Sequence, residues 1–310
     1  MMNSTLVSYF TLSVYIELGL FKYVLFVCVL CIYMVMVCAN VLLIVVICMN
    51  RSLHEPMYMF LCSLFVNELC GGTSLFPLLL VQILSDVHTI SVPFCLLQLY
   101  CIHTYGTVEY FLLTIMSYDR YLAICCPLQY STRMSTSTIS KLLTVVWLSG
   151  VVSCVIMISQ TSSMRLCGNV IDKVYCDNYS VVRLACSDTS INNIYGLIIT
   201  FSTIVLPMVL IVFTYLKILL VCSSGCKQSR QKAVSTCVPH VVALINFSLG
   251  SSFEIVQSRF NMKGTPNVLR IILSLYWLTV QLLLNPLMYG FNLSKIRIIL
   301  KKRPFAELLL

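Results

Sequence analysis

The sequence predicts an all-α membrane protein: a bundle of seven transmembrane helices with a short interfacial helix after the seventh. Three observations carry this. Hydrophobic residues make up 59% and charged residues 10% of the 310 positions, and mean hydropathy is +0.94, which is more apolar surface than a soluble domain of this size can bury. Uncharged windows recur at 23–50, 142–164, 189–216, 233–253 and 271–294. Each is long enough for the roughly 20 residues that cross about 30 Å of hydrocarbon. Two further apolar stretches, 57–84 and 94–120, carry one internal carboxylate each, Glu68 and Glu109, and counting them as spans gives seven.

Seven spans put the termini on opposite sides, and the basic residues of the short loops decide which side is which. Segments assigned inside carry twelve Lys and Arg, among them Arg51, Arg133, Lys217 and Lys301, against seven outside, among them Lys22, Arg165 and Arg259. Residues 1–22 are therefore expected outside and 293–310 as a cytoplasmic tail, with 1–310 forming one domain. The net charge of +9 then belongs mostly to an inner face apposed to anionic lipid, not to a nucleic-acid patch. Residues 1–22 show no basic region followed by a cleavage site, so the first span is expected to insert uncleaved. Asn3-Ser4-Thr5 is an N-glycosylation acceptor on the outside, and Asn178-Tyr179-Ser180 is a second.

Between the first two spans, Pro56 can open a helix at its first turn, where its missing N–H costs nothing, so the chain turns there and re-enters the membrane. Glu68 lies about eleven residues into span two, roughly 16 Å deep, and Glu109 precedes Asp119 by ten residues, roughly 15 Å. Asn40 on span one and Asn285 on span seven reach the same level. Two carboxylates and two amides at the midplane are costly unless they face one another around water or a cation, and hard cations take oxygen ligands. The same residues would also serve as a proton-sharing carboxylate pair that holds helices together.

Cys95, Cys167, Cys176 and Cys186 are the cysteines on the expected outer, oxidising face, and four cysteines allow three pairings. Outward of Glu109, span three carries Leu99, Ile102, His103, Gly106 and Thr107 on one helical stripe that should face the bundle. It is expected to line a ligand cavity with Ile199, Thr200 and Thr203 of span five and Ser251, Ser252 and Ile255 of span six. Arg259 follows Ile255 by four residues on the same face, where it can either fork a carboxylate or snorkel to the headgroups. The forked arrangement would suit an acidic ligand, assisted by His103.

Four inner-face features complete the chain. The acid–base pair Asp119-Arg120 ends an apolar segment, where such charges must be interfacial, mutually paired or functional. Span five holds Pro207 and ends near Tyr215, and span six opens with Lys232-Ala233-Val234-Ser235-Thr236-Cys237-Val238-Pro239-His240. Pro286 frees backbone groups that Asn285 and nearby water can satisfy, giving a hinge above Tyr289. Residues 293–305 alternate basic and apolar groups as an interfacial helix does. There is no phosphate-cradling glycine loop, no metal-spaced Cys/His cluster and no nucleophile elbow, so an enzyme is not expected.

The run Met116 to Cys125 resembles the MAYDRYVAIC signature of odorant receptors, a rhodopsin-like G-protein-coupled receptor family, at eight of ten positions. Leu53 to Leu61 resembles the family's LHxPMYxFL run, 184–189 its LACSDT run, 232–240 its KAxSTCxxH run and 285–289 the NPxxY run. The resemblance, which extends to the fish-like class I branch, covers most of the chain. It implies disulfides Cys95–Cys176 and Cys167–Cys186, and switch residues Asp119, Arg120, Tyr121, Tyr215, Asn285, Pro286 and Tyr289 for G-protein coupling. It implies an allosteric sodium site at Asn40, Glu68, Glu109 and Asn285, and otherwise no cofactor. The expected partners are a small-molecule odorant, a stimulatory olfactory-type heterotrimeric G protein and membrane lipid. The expected location is the plasma membrane, specifically the ciliary membrane of olfactory neurons. The alternatives are a metabolite or peptide receptor of the same fold outside the nose, or a cation or proton transporter using Glu68 and Glu109.

Overall fold

The computed structural model describes residues 7–15, 19–223, 227–259 and 267–302. Long helices α1 (Phe21–Met49), α2 (Pro56–Leu84) and α3 (Val92–Cys125) are the first three spans, and a short inner helix α4 (Pro127–Arg133) follows. Span four is α5 (Thr136–Ser162), and a one-turn outer helix α6 (Asn178–Val182) lies in the loop after it. Span five is α7 (Ser190–Thr200) continued by α8 (Leu206–Ser223), span six is α9 (Lys227–Arg259), span seven is α10 (Asn267–Asn292), and α11 (Ser294–Lys302) is the short helix after it. The window limits read from hydropathy fall within a turn or two of these helices, because hydrocarbon thickness sets their length.

Helix α3 is the central post, packing on α2, α5, α8 and α9, while α1 closes against α2 and α10. Close approach is steric at Gly150, where an added Cβ would lie 2.8 Å from a Val108 methyl, so α5 rests directly on α3 there. Between α7 and α8 the backbone runs through a π-helical turn, Phe201–Val205, in which the Leu206 N–H reaches Phe201 O. Pro207 explains its position: lacking an N–H, it cannot continue the regular ladder, and the extra residue is accommodated just before it.

The outer end carries a small sheet. Strand β1 (Tyr9–Leu12) pairs antiparallel with β2 (Thr89–Ser91) and parallel with β3 (Val170–Ile171). Phe10 and Leu12 point inward and are fully buried, while Tyr9 is exposed, the alternation of a half-covered strand. The Tyr15 hydroxyl donates to Val174 O at 2.6 Å and the Ser13 hydroxyl to Asp172 at 2.9 Å. The residues before span one, expected only as an outer segment, thus help to hold the second outer loop in place. Cys95–Cys176 and Cys167–Cys186 are both bonded, the first closing a separation of 81 residues.

At the inner end, Lys295 of α11 reaches Glu55, the residue before α2, at 2.5 Å. The Glu55 partner raises the ammonium's pKa above its usual value, so its contribution is present below that usual value and lost as pH rises through the folded one. Both side chains are about half exposed, so the pair orients α11 more than it stabilises it.

Candidate functional site

The outer half of the bundle encloses a cavity of about 180 Å³ between α3, α5, the α7–α8 segment and α9. Its walls include Ile102, His103, Gly106, Thr107, Ile199, Thr200, Thr203, Ser251 and Ile255 from the expected set. A second cavity of about 170 Å³ lies outward of it and shares His103, Met157, Asp177, Ile199, Thr200 and Ile255. The π-helical turn aims Thr203 inward, where its hydroxyl donates back to Ile199 O at 2.8 Å. Tyr110 and Ser251 meet at 2.7 Å across the floor, linking α3 to α9.

Two expected lining residues lie elsewhere. Leu99 is fully buried in the core above the cavity, because the Cys95–Cys176 bond draws the loop down onto that turn of α3. Ser252 is exposed on the outer side of α9, one residue round the helix from Ser251. Arg259 ends α9, and its side chain lies outside the described residues, as does Asn3. Asn178 is turned into the bundle: its amide oxygen accepts from the Thr161 hydroxyl at 2.7 Å and its nitrogen donates to Asn192 at 3.5 Å. That placement engages both ends of the amide expected to carry a second glycan.

Residues 173–177 form the lid. Cys176 N–H donates to Gln98 Oε1 at 2.9 Å, and Tyr175, Cys176 and Asp177 all face the cavity. Lys173 is buried in an ion pair with Glu254 of α9. Asp177 caps α6, with its Oδ2 taking the Ser180 N–H at 3.1 Å and the Ser180 hydroxyl at 3.0 Å.

Below the cavity is a second polar layer in which Asn40, Glu68, Glu109 and Asn285 are all fully buried. The Asn285 amide donates to Glu68 Oε1 at 2.5 Å and Glu109 Oε1 at 2.8 Å, so one side chain of α10 bridges the carboxylates of α2 and α3. Asn67 donates to Glu109 Oε2 at 3.1 Å and Gln281 to Glu109 Oε1 at 3.1 Å. Asn40 stands at the edge, bonded to Met36 O at 3.0 Å and Leu282 O at 3.5 Å. Glu68 Oε2, Asn40 Oδ1 and Asn67 Oδ1 are buried oxygens with no hydrogen-bond partner among the described residues. These are the donor type a hard cation takes, so the layer fits sodium, though with Asn67 in the oxygen set instead of Asn285, which presents nitrogen to both acids. Among the described residues, no group of three or more His, Cys, Asp and Glu gathers as a metal site.

At the inner end, Asp119 is fully buried and paired with Arg120, and it also takes the Tyr130 hydroxyl at 2.8 Å. Burial and the adjacent carboxylate raise the Tyr130 pKa above its usual value, so it stays a neutral donor at physiological pH. Tyr121 is half-buried, and Tyr215 is buried with no partner for its hydroxyl among the described residues. Tyr289 and His240 meet at 3.1 Å between α10 and α9. Sequence reasoning missed Tyr130, which is held by a helix of only seven residues. Replacing Tyr130 by phenylalanine removes a hydrogen bond to a charged group, about 1.5–3 kcal/mol, so basal cyclic AMP should rise severalfold at unchanged surface level. An unchanged basal level would show that the Asp119–Arg120 pair alone holds the resting state.

The sequence profile of the olfactory receptor family matches residues 28–306. The chain is 35% identical over 302 residues to olfactory receptor 5P56 of Mus musculus, covering 97% of this chain and 96% of that one. It is 33% identical over 278 residues to olfactory receptor 10J4 of Homo sapiens, covering 89% and 88%. Squid rhodopsin superposes with a TM-score of 0.73 over 96% of this chain and 87% of its own, at 18% identity, a likeness of fold. A profile match over most of the chain, a rhodopsin-like bundle and an Asp-Arg-Tyr run at the inner end of span three together carry the assignment: this chain is a member of the olfactory receptor family, multi-pass membrane proteins that signal as G-protein-coupled receptors and are not enzymes.

Proposed function

We propose that this chain detects a small odorant in the outer cavity and activates a stimulatory, olfactory-type G protein at its inner face. The observation that carries the reading is one helix, α3, which bears Ile102, His103 and Tyr110 on the cavity and Asp119-Arg120 at its other end. A ligand against the Tyr110–Ser251 contact acts on the seam between α3 and α9, and α9 carries His240 at its inner half. A ligand that prefers the geometry in which α9 has swung away shifts the population toward it by its difference in affinity for the two states. Tyr289 then loses His240, Arg120 leaves Asp119, and the 120–133 and 217–232 segments receive the G protein. On this reading residues 1–22 are extracellular, 293–310 are cytoplasmic, and the chain sits in the plasma membrane, in olfactory neurons in the ciliary membrane.

The test is cyclic AMP in cells expressing the surface-tagged chain with an olfactory-type G protein, challenged with odorant panels. A dose-dependent rise is expected. A correctly displayed receptor that stays silent to every panel, and instead carries a sodium- or proton-dependent current, would replace the reading with a transporter.

The midplane layer is proposed to hold sodium, with Glu68, Asn40 and Asn67 supplying oxygens and Glu109 adding charge, while Asn285 holds the two acids in register. Bound sodium would supply a counter-charge that favours the resting packing of α2, α3 and α10. Replacing extracellular sodium by choline should therefore sharpen agonist potency in the parent chain. Glu68→Gln and Glu109→Gln should each remove that sensitivity, and a sodium response that survives both would leave the layer as a proton-sharing clamp.

A further inference from the structure

The charged groups of the outer cavities are acidic. Asp177 faces both cavities, Glu254 faces the inner one, and among the described residues no Lys or Arg lines either. The nearest described cation, Lys173, is committed to Glu254 and buried beside it. Among the described residues, one positive and two negative groups give the site a net negative charge. Asp177 Oδ2 is occupied by its two Ser180 donors, and Oδ1 has no hydrogen bond among the described residues. His103 shares that wall. Opposite, Ile102, Ile204, Met157 and Phe247 are apolar.

A polar rim of one net negative charge above an apolar chamber selects a ligand with a cationic, hydrogen-donating head and a short hydrocarbon body. We propose that this cavity is tuned to small primary or secondary amines, a reading that rests on the cavity being the ligand site. The ammonium head is held by Asp177 Oδ1 with Glu254 behind it, and the hydrocarbon lies toward Phe247 and Ile204. A carboxylate head would meet Asp177 and Glu254 as like charges. The amine reading is the opposite of the acidic odorant expected from Arg259, whose side chain lies outside the described residues.

The experiment compares hexylamine, hexan-1-ol and hexanoic acid on the full chain. It reads cyclic AMP in cells and, independently, ligand-dependent thermal stabilisation of the purified receptor in nanodiscs. Hexylamine is expected to be the most potent of the three in both. Asp177→Asn keeps an N-cap acceptor for α6 while removing the charge, and amine potency should fall about tenfold or more, as expected for one lost charge-assisted hydrogen bond. The double variant Asp177→Asn with Glu254→Gln leaves Lys173 as the fixed charge and should gain a response to hexanoic acid, an outcome that misfolding cannot produce. Hexan-1-ol or hexanoic acid outperforming the amine on the parent chain would overturn the proposal and leave the receptor reading standing. Amine potency unchanged in both variants would do the same. Amine stabilisation in nanodiscs without any cyclic AMP response would uphold the proposal and overturn the coupling.

Discussion

Replacing Arg120 by alanine is expected to abolish ligand-evoked cyclic AMP, down to the level of cells lacking the receptor, at unchanged surface density. The reason lies in the two states of one side chain. At rest Arg120 is paired with the fully buried Asp119, and its own side chain is only partly exposed. Moving away from Asp119, the guanidinium becomes the cation that the opened inner face offers to a G protein, and alanine has nothing to offer. The complementary variant separates this role from simple structural loss. Asp119→Asn keeps a side chain of the same shape and releases the arginine, and losing a charged hydrogen bond of about 1.5–3 kcal/mol raises the active population by roughly tenfold or more. High basal activity in Asp119→Asn, removed when Arg120→Ala is added, is the expected pattern. A ligand response that persists in Arg120→Ala would place the coupling surface elsewhere.

Much of this architecture is legible in the sequence because two physical constraints act locally. Hydrocarbon thickness fixes span length, which is why the windows at 23–50 and 57–84 anticipate helices Phe21–Met49 and Pro56–Leu84. The helical rise fixes depth, which is why Glu68, Glu109 and Asn285 were expected at one level. Long-range partners leave weaker traces. Strand β1 pairs with residues about 80 and 160 positions away, and its alternating Tyr-Phe-Thr-Leu is too short to distinguish from any outer segment. Lys173 read as an ordinary loop lysine, because its partner Glu254 is 81 residues on. Glu254 itself carried a signal: it ends the uncharged 233–253 window while the helix runs on to Arg259, so a carboxylate had to be buried near the outer end of span six. Gln281 carried one too, four residues before Asn285 and so on the same face of α10. The placement of Leu99 depended on where the second outer loop descends. That is a property of the Cys95–Cys176 bond and not of the helix.

Asn285→Leu is expected to be the most damaging single change in the spans, cutting surface expression sharply and lowering the melting temperature of the purified receptor. Its amide is the hydrogen-bond partner of Glu68 Oε1 and one of the donors to Glu109. Glu109 keeps Gln281 and Asn67 when that amide is lost, whereas Glu68 keeps only the neighbouring Asn40, and its Oε2 has no hydrogen bond among the described residues. A buried carboxylate deprived of its donor costs the desolvation penalty as well as the bond, about 3 kcal/mol or more. Set against the 5–15 kcal/mol that separates folded from unfolded states in ordinary proteins, that is a large fraction. The damage resides in the unpaired acid rather than in the missing amide, so removing the acid as well should relieve it. Glu68→Leu in the Asn285→Leu background should restore part of the melting temperature, because replacing both partners of a buried hydrogen bond with apolar groups is far less costly than removing one. A double-mutant cycle on melting temperature is the check. Strong positive coupling between the two positions would identify Asn285 as the group that makes Glu68 tolerable in the bilayer. Simple additivity would mean that Asn285 stabilises the bundle through the backbone around Pro286 instead.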